Sequence, residues 1–261
     1  MKIETLSYSN EKGVFVFSDV NAAYINTIRR LIVNSVPTMA VDKVRFIDNN
    51  SALYDEMFAL RIGLVPLTTD LKTYEYKDSC KCENNGCAMC ELKLSLEKEG
   101  PCTVYSGDLK SEDPKVKPAI EDIPLVKLLE NQKINLEAVA ILGNGKMHAK
   151  FVPGLLYYFG YPKIKVNNQK IVEKCFENIP AEYAELNGSK VKIKDYTKAE
   201  SVMSMLDSCP DNAVDVEYSD DKFIVFVESW GQLSVKDILK KAVDVFNEQL
   251  DEFVKLVKDL K

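Results

Sequence analysis

One histidine, one tryptophan and four arginines stand in a chain of 261 residues, and each scarcity narrows the chemistry. His148 is the single imidazole, so a Ser–His–acid triad or a His-ligated metal site would have to use it. Its context, Lys-Met-His-Ala-Lys, offers no acid at a telling spacing, which leaves His148 a structural or interface residue. The chain has no P-loop, no Rossmann glycine fingerprint and no nucleophile elbow. No apolar run approaches the roughly 20 residues of a membrane span. The N-terminus lacks the basic-then-apolar pattern of a signal peptide, so the expected location is the cytoplasm. Positive charge is also short, with 34 Lys and Arg against 40 Asp and Glu. That balance argues against a broad nucleic-acid surface and leaves room only for local basic spots.

What is present is the composition of a soluble globular protein, 46% hydrophobic and 28% charged, long enough for one large or two ordinary domains. The most informative stretch is Asp19 to Phe46. Val20, Tyr24, Ile28 and Leu31 recur at helical spacing, with Ile25, Ile32 and Val36 alongside. Ser18 or Asp19 is placed to cap the start. Pro37 cannot continue the helix and pushes Val36 toward an extended backbone. Ala40 to Phe46 then alternates as a strand.

Ahead of that helix, Met1 to Val20 reads as a hairpin turned at Asn10 to Gly13. Behind it, residues 51–70 read as a short helix ending at Gly63 and an extended Leu64 to Leu67. Proline-rich residues 101–125 read as a strand and an irregular loop, Val126 to Leu129 as a short helical turn. Leu136 to Leu142 is a strand, turned by Gly143-Asn144-Gly145 and returning over Lys146 to Phe151. A boundary is expected near Gly160 to Pro162. Residues 163–213 form a small unit with short strands at Lys163 to Val166 and Val191 to Ile193. Val214 to Glu217 and Phe223 to Glu228 read as two strands.

The last segment is a long helix. Ser234 caps it, with Asp237 three residues on, as in a capping box. Leu239, Ala242, Phe246, Leu250, Phe253, Val257 and Leu260 step by three or four residues, a sustained seam of coiled-coil type. Such a face wants a long partner surface, part of it the chain's own sheet and part a second chain.

Seven cysteines is an odd number, and four crowd together as Cys80, Cys82, Cys87 and Cys90. In a reducing compartment this density favours metal over disulfides. Four thiolates complete a tetrahedral shell around one Zn²⁺, and Asn84, Asn85 and Gly86 supply the turn between the pairs. With no His or catalytic acid nearby, the site reads as closed and structural. An iron–sulfur cluster on the same thiolates is the alternative metal, and free thiols in an exposed loop the bland reading.

Asn21 to Phe46, NAAYINTIRRLIVNSVPTMAVDKVRF, resembles the helix–Pro–strand signature of the α-like subunits of cellular RNA polymerases. It is most similar to the family of D-type subunits of the archaeal enzyme, counterparts of the eukaryotic third subunit and of bacterial α. LRIGLVPL (residues 60–67), TVYSGDLKS and GNGKMHAKFVP resemble family strings in the expected order, so the resemblance covers nearly the whole chain. It implies an α+β fold in three parts. Residues 1–42 with 214–261 would be a two-part dimerisation domain. Residues 43–161 would be an inserted mixed or β domain carrying the cysteine loop. Residues 162–213 would be a small ferredoxin-like third domain.

The same resemblance implies a non-catalytic assembly subunit of a DNA-directed RNA polymerase, a nucleotidyltransferase whose Mg²⁺ site lies in its largest subunit. The implied partners are subunit L as heterodimer mate, subunits N and P, and the second-largest subunit; any DNA contact is indirect through the complex, and there is no membrane. The cysteine loop resembles the zinc loop of the eukaryotic third subunit, there one residue shorter, and many archaeal D-type subunits lack it. Arg29, Arg30, Arg45 and Arg61 are the chain's four arginines, and all four lie in the two family motifs. Arginine makes bidentate, partly buried contacts that lysine does not. They read as a docking surface, or in the plainer case as local salt bridges. The interface set is these four with Leu239, Phe246, Leu250, Phe253 and Val257.

In the third domain, Cys209-Pro210 followed by Asp-Asn-Ala resembles the end of a ferredoxin cluster run. The three preceding ligand positions hold Ala199, Val202 and Met205, and Cys175 lacks companions too. The expectation is a ferredoxin-like fold without an iron–sulfur cluster, its two cysteines isolated thiols. A competing reading of the whole chain is a free-standing metal or redox protein using Cys80 to Cys90; it would have no need of a long exposed apolar helix face.

Overall fold

The computed structural model describes residues 1–83, 85–188, 190–210 and 213–260. Asn84, assigned above to a turn, and Asp211 and Asn212 of the Cys-Pro run lie outside the described residues. In chain order the elements are β1 (Lys2–Tyr8), β2 (Lys12–Ser18), α1 (Ala22–Asn34), β3 (Pro37–Asn49), α2 (Asp55–Gly63), β4 (Glu91–Glu99), β5 (Cys102–Tyr105), β6 (Lys110–Ser111) and β7 (Pro124–Leu128). They continue with β8 (Lys133–Asn144), β9 (Gly154–Val166), α3 (Gln169–Phe176), β10 (Ala184–Asn187), β11 (Lys190–Ile193), α4 (Ala199–Asp207), β12 (Val214–Ser229) and α5 (Val235–Asp259). The fold is α+β. It divides into two compact units, Met1–Thr27 with Leu156–Val227 and Ile28–Leu155 with Glu228–Lys261.

The first unit is built on a sheet of order β1-β2-β12-β9. β1 and β2 form the expected hairpin, closed where the Ser9 hydroxyl accepts the Lys12 amide at 2.9 Å. Val14, Val16, Ile224 and Phe226 bury one side of the sheet against Ala199, Val202, Met203 and Leu206 of α4. The polar run Ser219-Asp220-Asp221 does not split β12, contrary to expectation. Ser219 is buried and its hydroxyl donates to the Asp221 carboxylate at 2.5 Å, so its polarity is met locally. β9 likewise runs unbroken through Gly160 and Pro162. A Cβ at Gly160 would stand 2.8 Å from the Ser219 carbonyl oxygen, so glycine lets the two strands approach there.

α1 begins one residue after its cap. The Asn21 side-chain oxygen accepts the Tyr24 amide at 2.9 Å, so Asn21 rather than Ser18 or Asp19 satisfies the first turn. Asp19 instead takes a positive φ of 58° in the connection.

The second unit holds a sheet of order β3-β8-β4-β6 and a two-stranded β5-β7 ribbon. Across it, Val44 lies opposite Ala138, which lies opposite Leu94. The even positions of β4, Leu92, Leu94 and Leu96, all point into the core. Phe58 and Ile62 of α2 fill the same core, along with Val104 and Leu128 of the ribbon. Each such side chain contributes about 1.5–3 kcal/mol by leaving water. Residues 124–128 are strand, not the helical turn expected, because Val126 pairs with Val104 and Leu125, Val126 and Leu128 are buried. Residues 146–151 are not a returning strand. The chain closes in a 3-10 turn at Ala149–Phe151, capped by His148, whose Nδ1 accepts the Lys150 amide at 3.0 Å. That fold-back buries Phe151 against Ala40 and Ile141. Among the described residues no helix is long and apolar enough to cross a membrane.

Candidate metal centre and interface surfaces

The cysteine loop connects α2 to β4. A 3-10 turn at Lys77–Ser79 delivers Cys80, which is buried, and Cys90 is buried immediately before the first residue of β4. Cys82 and Cys87 are half-buried on the outer side. Gly86 has a positive φ of 81°, which a side chain would resist, and it lets the chain reverse between the two pairs.

The turn gathers all four sulfur atoms within 4.8 Å of one another. Cys80 and Cys87 are 3.5 Å apart, Cys82 and Cys90 3.5 Å, and Cys87 and Cys90 3.8 Å. Four thiolates about 2.3 Å from one ion stand about 3.8 Å apart in a tetrahedron. The donor set therefore fits a four-coordinate metal ion in type, number and spacing.

The surroundings suit a cluster of negative sulfurs. The Cys87 amide donates to the Cys90 sulfur at 3.3 Å, and the Cys82 and Gly86 amides donate to the Cys80 and Cys82 sulfurs. Lys77 lies close enough for its charge to be felt by Cys90 and Cys82. Burial pushes the Cys90 thiol up to about 12. At Cys82 burial acts in the same direction but is outweighed by hydrogen bonds from Cys90, Cys80 and the Gly86 amide, which bring it down to about 7. Without a cation, four sulfurs this close cannot all be ionised; a divalent ion removes that conflict.

The interface residues fall into separate groups. Arg29 is half-buried and Arg30 exposed, both on α1. Arg45 stands opposite Glu137 in the β3–β8 register, 3.7 Å away, with both side chains mostly in solvent. Arg61 donates to the Pro124 carbonyl oxygen at 2.6 Å and is otherwise exposed. Sequence reasoning missed what accompanies Arg61: Tyr54, Met57, Leu60 and Leu64 are exposed on and beside α2, at three- and four-residue spacing. The signal was in that spacing, since Phe58 and Ile62 alone account for the buried side of α2.

On α5 the Ser234 hydroxyl accepts the Asp237 amide at 3.1 Å, the cap anticipated from the sequence. Val235, Ile238 and Ala242 are buried, and Leu239 and Phe246 half-buried. From Leu250 onward the seam is open: Leu250 is 45% exposed, Phe253 63% and Leu260 78%.

Cys175 and Cys209, expected as isolated thiols, are joined as a disulfide, their Cα atoms 6.0 Å apart. The pairing follows from α3 packing on α4, which brings together the ends of two helices that the sequence separates by 34 residues. Of the three positions that a cluster run would need as ligands, Ala199 and Val202 are fully buried in the core.

Residues 44–153 match the family model described as the RNA polymerase Rpb3/RpoA insert domain. Over its whole length the chain is 36% identical to the DNA-directed RNA polymerase subunit Rpo3 of Methanosarcina acetivorans, across 264 aligned residues and 99% of that protein. It is 36% identical to the Rpo3 of Archaeoglobus fulgidus, covering 99% of this chain and 98% of the relative. The Rpo3 of Pyrococcus horikoshii is 35% identical, covering 97% and 96%. The chain belongs to the Rpo3 family of DNA-directed RNA polymerase subunits.

Proposed function

We propose that the chain is a non-catalytic assembly subunit of an archaeal DNA-directed RNA polymerase. It pairs with subunit L to form a platform that receives subunits N and P and the second-largest subunit. The observation that carries the reading is α5. Its first half is buried and its second half presents Leu250, Phe253, Val257 and Leu260 to water. An apolar stripe of that length is stable in a soluble protein when a second chain covers it. Residues 1–42 and 214–261 then supply the dimerisation domain. Residues 43–161 form the inserted domain, and Arg29, Arg30, Arg45 and Arg61, with Tyr54, Met57, Leu60 and Leu64, serve as the docking face for a large subunit. Residues 162–213 form a ferredoxin-like third domain without an iron–sulfur cluster, and the complex works in the cytoplasm.

The ion held by Cys80, Cys82, Cys87 and Cys90 in this reading is one structural Zn²⁺. It supplies no reaction chemistry; the cysteines hold it and it holds the loop. The competing reading, a free-standing redox protein using those thiols, leaves the open half of α5 without a purpose.

The test is size-exclusion chromatography with light scattering and metal analysis, on the chain alone and co-expressed with subunit L. A stable one-to-one complex with about one zinc per chain is expected. A well-behaved monomer that ignores subunit L would sink the assembly reading.

A further inference from the structure

The small hairpin β10–β11 borders a cavity of about 390 Å³ within the first unit. β11 lines it along its entire length, from Lys190 to Ile193. A strand that presents a face to a cavity contributes every second residue; one that contributes four in succession presents its backbone edge. The opposite wall is the end of β9, at Tyr161, Pro162 and Ile164. β9 is the outer strand of its sheet and β11 one of only two in its own, so the cavity is a slot between two strand edges.

The register says which groups face the slot. Asn187 lies opposite Lys190 at the hairpin's closed end, and Glu185 opposite Lys192. In a hairpin closed by two residues these are the mutually bonded pairs, so the amides and carbonyls of Val191 and Ile193 point away from β10, toward the slot. Pro162 lacks an amide and is a residue tolerated on sheet edges, so β9 is the poorer edge to extend.

Charge selects the occupant. Lys190 and Lys192 are exposed on one face of β11. Among the described ion pairs Glu185 is taken by Lys194 at 3.0 Å, and neither Lys190 nor Lys192 has a partner; Lys192 adds only to the wider field around Glu185. A second copy of β11 would set lysine against lysine, which cross-strand pairing disfavours. A nucleic-acid strand would need an open aromatic face, yet Lys222 sits 3.8 Å over the Tyr161 ring and the Tyr161 and Tyr196 hydroxyls bond to each other.

We propose that this slot docks an extended peptide segment of a partner protein, added as a strand to β11, with acidic residues opposite Lys190 and Lys192 and apolar residues between them. The mode is independent of the C-terminal helix and so goes beyond the assembly reading.

The probe is a fluorescein-labelled peptide of alternating Glu and Val, titrated with the full-length chain by fluorescence anisotropy. Binding is expected that weakens as salt rises. The double variant Lys190→Gln, Lys192→Gln, which puts no like charge opposite Glu185, should bind at least tenfold more weakly, keep its melting temperature, and lose the salt dependence. Val191→Pro, which removes an outward amide and none within the hairpin, should also lose binding. No binding of the Glu–Val peptide, unchanged binding by the double variant, or tighter binding of a labelled oligothymidylate would each overturn the proposal.

Discussion

Lys77 and Glu91 bracket the cysteine loop and meet at 2.5 Å, each side chain about a quarter exposed. Lys77 comes from the turn that delivers Cys80, and Glu91 directly follows Cys90, so the pair ties the two ends of the loop together. Glu91 holds the Lys77 ammonium charged, and that charge faces the sulfurs of Cys90 and Cys82. Four thiolates around a divalent ion leave two negative charges uncompensated; Lys77 and the backbone amides are what the loop supplies against them. Lys77→Met should therefore release the ion to a competing chelator about tenfold faster or more, with the fold of β4 intact by circular dichroism. An unchanged release rate would show that the pair only closes the loop.

The two cysteine classes should separate cleanly. Cys90→Ser removes a buried ligand and is expected to bring the metal content close to zero, exposing a protease-sensitive loop between α2 and β4. Cys102→Ser touches a thiol outside the cluster, one that donates to the Glu99 carbonyl at 3.4 Å, and should leave one ion per chain. Elemental analysis of the purified variants reads both.

Much of this was legible from the residues. α1, α5 and the cysteine loop announce themselves through periodicity, a cap and ligand spacing, all local signals. The failures are of another kind. β12 contains Ser219-Asp220-Asp221, which locally read as a break; in the fold Ser219 is buried and the Asp221 carbonyl accepts the Val20 amide, contacts from residues distant in sequence. Val126 belongs to a strand because Val104, distant in sequence, pairs with it. Lys146 to Phe151 alternates like a strand yet turns back, and Phe151 is buried against Ala40 and Ile141. The meeting of Cys175 with Cys209 depends on how α3 lies on α4, and no spacing encodes that.

Asp70 anchors the segment that leads into the loop. Its carboxylate accepts from Lys115 at 2.9 Å, the Lys72 amide at 3.0 Å and the Thr73 hydroxyl at 2.9 Å. The Lys115 hydrogen bond is the largest reason its pKa falls from 3.8 to about 2. A carboxyl depressed on folding stabilises the native state above its unfolded pKa and loses that contribution as pH falls through the folded value. Asp70 should thus contribute fully above about pH 5 and progressively less between pH 4 and pH 2. Asp70→Ala should cost about 1–2 kcal/mol at pH 7 from the lost hydrogen bonds, and the gap from the parent chain should narrow below pH 4 in denaturant titrations.

The helix α5 allows stability and assembly to be told apart on one element. Phe253 is 63% exposed and Ala242 fully buried. Phe253→Asp places a charge where water already is, so the chain's own melting temperature should barely move. If a partner covers that seam, the same charge becomes buried and unpaired in the complex, and the loss of a central aromatic anchor is of the order of 2–4 kcal/mol. That corresponds to a dissociation constant raised about 30-fold or more. Ala242→Asp should behave in the opposite way, unfolding the chain before any partner is added, because its carboxylate has no route to solvent. Thermal melts of each variant alone, followed by chromatography with subunit L, give the two readings. A Phe253→Asp chain that still forms the complex at parental affinity would remove the seam from the interface and with it the main argument for the heterodimer.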